Sequence, residues 1–101
     1  MSESGSHLVL INAFEVPDGQ DDDFIRGWEA ARDYLKDQPG YVDTSLHRAV
    51  APGVDFRFVN VARWESAEHF RAALGSDGFQ EASKGLSQYS AHPGLYEVIR
   101  T

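Results

Sequence analysis

Apolar residues fall into blocks along the chain, and the blocks follow two different periods. From Leu8 to Val16 the chain reads LVLINAFEV, rich in aliphatic and aromatic residues. It stops at Pro17-Asp18-Gly19, a turn signal in which Pro fixes φ and Gly permits a positive φ. This block predicts a first strand. From Asp21 the period lengthens: Phe24, Trp28, Ala31 and Leu35 recur at helical spacing with Ile25 beside them and carboxylates in the first turn. That pattern predicts the longest helix of the chain, ending before Pro39-Gly40. Tyr41 to Val50 and Asp55 to Trp64 read as second and third strands, joined by a short loop at Ala51-Pro52-Gly53. Ser66 is suited to cap a second helix carrying Phe70, Ala73 and Leu74, and a further helical piece over Asp77 to Leu86 carries Phe79 and Ala82 between glycines. After a break at His92-Pro93-Gly94, the run Leu95 to Arg100 predicts the fourth strand.

The order is β-α-β-β-α-β. Right-handed crossovers place strands one and three side by side in the centre of a four-stranded antiparallel sheet, with the helices on one face. The expected fold class is α+β, a ferredoxin-like plait. Alternation sorts the central strands into two faces. Leu8, Leu10, Asn12, Phe14 and Val16 share one side of strand one, and Val9, Ile11, Ala13 and Glu15 the other. Strand three divides into Phe56, Phe58, Asn60, Ala62 and Trp64 against Arg57, Val59, Val61 and Arg63. Both faces are mostly apolar, yet helices on one side cover only one of them. The other face predicts a homodimer through sheet faces, a dimeric α/β barrel. The folded domain is expected over residues 8–101. The small polar residues 1–7 are set aside as a frayed tail or an expression scar.

Charge and composition narrow the partners. The 101 residues carry a formal net charge of −7, with no basic run to offset it, so nucleic acid and anionic membrane surfaces are poor partners. No cysteine is present, which excludes disulfides, thiolate metal sites and a Cys nucleophile. No apolar run approaches the roughly 20 residues that cross a bilayer, and a cytoplasmic location is the simplest expectation.

Two residues stand out for chemistry. Asn12 and Asn60 are polar amides in the middle of central strands, where Asn is disfavoured. A single such Asn most often bonds within the core. Two of them on one face, with Trp64 two pleats beyond Asn60, suggest amides converging on a cavity where they could donate to a developing anion. The four histidines, His7, His47, His69 and His92, lack the helical pair spacing and carboxylate neighbours of a metal site, so no metal is expected. His47 and His69 are candidates for a proton acceptor. Gly-rich phosphate loops, nucleophile elbows and dinucleotide fingerprints are missing, so neither flavin nor nicotinamide is indicated.

The stretches Ile11-Asn12-Ala13-Phe14-Glu15-Val16-Pro17, Gln38-Pro39-Gly40-Tyr41, Ser45-Leu46-His47-Arg48 and Phe58 to Ser66 resemble the antibiotic biosynthesis monooxygenase family. The resemblance covers the chain from Leu8 onward and specifies fold better than reaction. It implies a cofactor-independent monooxygenase acting with O₂ on an electron-rich polyphenolic or polyketide-type aromatic. Oxygenases of that branch carry an Asn on strand one and an Asn and a Trp on strand three, which fall on Asn12, Asn60 and Trp64 as the implied catalytic residues. Phe14, Phe24, Trp28 and Phe70 are the expected substrate-binding wall. The alternative is a haem-binding or haem-degrading relative, or a non-catalytic ligand-binding dimer. For haem degradation, Ala73 stands where that branch has a Trp, and Ser83 where it has its iron-ligating His.

Overall fold

A computed structural model describes residues 8–101; the expectation for residues 1–7 lies outside the described residues. Strand β1 spans Leu8–Glu15, helix α1 Asp21–Leu35, β2 Tyr41–Arg48 and β3 Phe58–Trp64. Two short helices follow, α2 over Ala67–Leu74 and α3 over Asp77–Ala82, then a 3-10 turn at Lys84–Leu86 and β4 over Ser90–Tyr96. The strands lie in the order β2-β3-β1-β4, every neighbouring pair antiparallel, so β1 and β3 are central as their apolar alternation requires. This is the ferredoxin-like α+β fold.

Local sequence explains the helix boundaries. Gln20 precedes α1 without a side-chain cap, and the carboxylates of Asp21, Asp22 and Asp23 sit at its positive end instead. Asp21 also accepts from Arg57 Nη2 at 2.8 Å, and that guanidinium holds its carboxyl below the usual range. Ser66 and Ser76 cap α2 and α3, each Oγ accepting from the backbone N–H three residues on, His69 and Phe79. Tyr34 Oη lies 2.6 Å from the Ser76 Oγ and so ties α1 to the start of α3.

The helices cover the face that carries Leu10, Asn12 and Phe14. Two apolar clusters form there. One joins Leu10, Ala62 and Trp64 to Phe70 and Ala73 of α2. The other packs Phe14 and Phe58 with Phe24 and Tyr89, the Phe24 ring stacked on Phe58 at 4.6 Å and set edge-on to Phe14 at 4.9 Å.

The first two strands stop short of Val16 and Val50, at Glu15 and Arg48, and two strand starts differ from expectation. The third strand begins at Phe58 rather than Asp55: Arg57 still bonds through its backbone to Phe14 and Ala49 while its side chain reaches α1, but Phe56 before it is exposed, edge-on to His92 at 5.0 Å. The fourth strand is Ser90–Tyr96, so His92-Pro93-Gly94 lies inside it rather than before it. Pro lacks a ladder donor, and β4 is an edge strand, where that loss is tolerated. Beyond Tyr96 the chain carries no regular structure, and Val98 and Ile99 are exposed.

Candidate active site

A cavity of about 260 Å³ lies between the sheet and the helices, and Asn12, Asn60 and Trp64 all line it. Antiparallel pairing sets Asn12 directly opposite Asn60, which places their Cβ atoms about 4.5–5.5 Å apart on the same face. The convergence expected from alternation is therefore present. Trp64, at the end of β3, is buried between Tyr41 and Phe70, each in an edge-on contact at 5.6 Å.

Asn60 is held by two donors. The indole Nε1–H of Trp28 donates to Asn60 Oδ1 at 3.2 Å, and Thr44 Oγ1 donates to the same oxygen at 2.7 Å. An indole N–H can only donate, so the atom it meets has to be the amide oxygen. The amide is thereby oriented, and its Nδ2 hydrogens have no partner among the described residues. Asn12 differs: its Oδ1 is buried and makes no hydrogen bond among the described residues. A buried acceptor left this way costs roughly 1–3 kcal/mol, which a ligand hydroxyl in the cavity can recover.

Phe14, Trp28 and Phe70 also line the cavity, as expected of an aromatic wall. Phe24 does not. It is fully buried in the neighbouring aromatic cluster, because the helical turn from Phe24 to Trp28 points the first ring at Phe58 and only the second over Asn60. Trp28 is thus more than wall, since its N–H grips the amide. Thr44 was not singled out by sequence; a Thr in a strand is commonplace, and only the β2–β3 register, shifted between Tyr41 and Asp43, brings it beside Asn60.

The expected proton acceptors are placed elsewhere. His69 is turned to its own helix cap, its Nδ1 2.7 Å from Ser66 Oγ. His47 Nδ1 donates to the Val59 carbonyl at 3.2 Å and is exposed. His92 Nε2 lies 2.7 Å from Glu15 on the sheet face away from the helices. None of them lines the cavity, whose described lining contains no carboxylate or imidazole. The titratable lining groups are Arg32 and Tyr41, and burial pushes the Tyr41 hydroxyl up against the opposing charge of Arg32.

Haem does not fit this donor set. No described histidine reaches the cavity, Ala73 is packed in the core, and Ser83 offers only a hydroxyl at the end of α3. Among the described residues, no group of three His, Cys, Asp or Glu side chains is placed to hold a metal ion, and no helix is long and apolar enough to cross a membrane.

Known proteins share this architecture. A candidate monooxygenase from Shewanella loihica PV-4 is 37% identical with a TM-score of 0.80, covering 95% of this chain and 97% of its own. SnoaB, a cofactor-independent oxygenase from Streptomyces nogalater, is 27% identical with a TM-score of 0.83, covering 95% and 96%. A 42.8 kDa protein in the whiE locus of Streptomyces coelicolor is 26% identical over 98 residues, or 95% of this chain, which spans only 24% of that protein's length. The family model for antibiotic biosynthesis monooxygenases matches residues 7–85, and the chain belongs to that family.

Proposed function

We propose that the protein is a cofactor-independent monooxygenase that oxidises an electron-rich polyphenolic ring, such as an anthrone, with O₂. The balance is a ring CH₂ plus O₂ giving a ring C=O plus water, with all four electrons supplied by the substrate. Triplet O₂ accepts an electron readily only from an ionised phenol or enol, so the site has to favour an anion. The observation that carries the reading is the Asn60 amide, clamped through its oxygen by Trp28 and Thr44 so that its N–H groups are free for an oxyanion. Asn12, with its unpaired buried oxygen, accepts from a neighbouring hydroxyl of the substrate or of the reduced oxygen. Trp64, Phe14, Trp28 and Phe70 hold the planar ring and exclude water. The proton lost on ionisation passes to water, and the Asn60 N–H groups stabilise the anion left behind; the described lining contains no carboxylate or imidazole. The likeness to SnoaB supports the reading. The working unit is a homodimer joined through the sheet face that the helices leave uncovered.

Oxygen uptake with an anthrone tests this. Asn60→Ala is expected to lower kcat about 10²-fold while circular dichroism and elution volume stay those of the native chain. Equal turnover by the two proteins contradicts the assignment.

A further inference from the structure

Among the described lining residues Arg32 alone carries a formal charge. It sits one helical turn after Trp28, with its guanidinium 5.1 Å from the centre of the Trp28 ring. Its side chain is 34% exposed, which puts it at the mouth of the cavity rather than inside. Its Nε donates to Asp33 Oδ1 at 2.9 Å, an oxygen that Lys36 Nζ also approaches at 3.6 Å. The two terminal nitrogens have no partner among the described residues. Tyr41 lines the same end, and its hydroxyl feels the Arg32 charge.

A guanidinium anchored through Nε on Asp33, with both terminal nitrogens open at the rim of an apolar chamber, is matched to a carboxylate or a similar planar anion. The setting makes the assignment specific. The protein carries a net charge of −7, so its overall field works against an anionic ligand, and a favourable anion contact has to be local. The stack on Trp28 holds the guanidinium in place and lowers the entropy lost when a ligand is gripped.

We infer that the cavity selects flat aromatic ligands bearing an anionic substituent at one end, held at the mouth by the Arg32 fork while the rings lie against Trp28 and Trp64. The inference deepens the proposed oxygenase reading by naming the substrate class, and rests on the same cavity. Arg32 acts as a specificity residue and takes no part in the transfer of electrons or oxygen.

The test is a binding titration that needs no turnover. The chain has two tryptophans, both in the lining, so quenching of intrinsic fluorescence reports occupancy. The probes are an anthraquinone carboxylate and the matching neutral carboxamide. The native protein is expected to bind the carboxylate about tenfold more tightly, the scale of one charge-assisted contact at a partly exposed site. Arg32→Gln is expected to bring the ratio near one, and Arg32→Lys to retain part of the preference. Equal affinities in the native protein, a preference that survives Arg32→Gln, or no binding of either probe overturns the inference. Equal affinities accompanied by normal oxygen uptake leave the oxygenase reading standing, whereas a clear preference without any anthrone turnover sinks that reading and leaves this one.

Discussion

The chemistry available to Asn60 is set by what its oxygen touches. Left to rotate, a carboxamide offers either end to a ligand; here Trp28 and Thr44 occupy the acceptor and leave the donor. Thr44→Val removes one of the two grips while nearly preserving volume. If the oriented amide stabilises an oxyanion, kcat for anthrone oxidation is expected to fall roughly three- to tenfold, the scale of one net hydrogen bond. KM is expected to hold, and Thr44→Ser to restore the rate; steady-state oxygen consumption checks all three. A loss confined to stability, with kcat intact, argues that the contact only supports packing. Asn12, Asn60 and Trp64 were legible in the sequence because a period of two puts every second residue on one face, whatever the rest of the fold does. Thr44 and Arg32 were not. One depends on a shifted register between β2 and β3, the other on how α1 is rotated over the sheet, and neither leaves a mark in local composition.

Helix α1 lies close against the 3-10 turn because two glycines meet. A Cβ added at Gly27 would stand 2.7 Å from the Gly85 carbonyl oxygen, a backbone atom that cannot swing aside. Alanine gains about 1 kcal/mol of helix propensity over glycine, but overpacking of this kind costs roughly 1–3 kcal/mol. Gly27→Ala is therefore expected to be destabilising on balance, seen as a lower urea midpoint with an unchanged slope; a raised midpoint would show that the turn yields. The same contact explains why α1 was readable from its pattern while the segment after α2 was only partly so. Phe24, Trp28, Ala31 and Leu35 announce a helix by spacing alone, whereas the glycines that punctuate the second half serve close packing and do not simply mark ends. The misplaced fourth strand has a related cause. His92-Pro93-Gly94 carries strong turn signals, but the outer position of β4 removes the penalty that would forbid them in a central strand.

Among the described residues, helices lie on one face of the sheet and none on the other. Val9, Ile11 and Ala13 of β1 and Val59 and Val61 of β3 form an apolar strip there, half-buried within one chain, and the Arg63–Asp43 and His92–Glu15 pairs lie on the same face. A second copy laid on that strip covers it. Val61→Asp places a charge in its middle and is expected to convert a dimer to a monomer in sedimentation experiments; a native chain that sediments as a monomer at micromolar concentration removes the sheet-face assembly. Alternation on both faces makes this expectation readable in the sequence alone. The two in-strand amides pointed to a cavity, but its extent was not readable, since volume arises from side chains that fail to meet, and no single position encodes it.

That void has a consequence for how the protein lives. A chain of 101 residues has little apolar interior to spare, and here part of the middle is left open between Asn12, Asn60 and Trp64. Whatever fills it also tightens the native state: a guest at a hundred times its dissociation constant adds about 2.7 kcal/mol against unfolding. If the proposed substrate is that guest, lifetime in the cell is tied to its supply, with occupied molecules outlasting proteolysis and idle ones being cleared first.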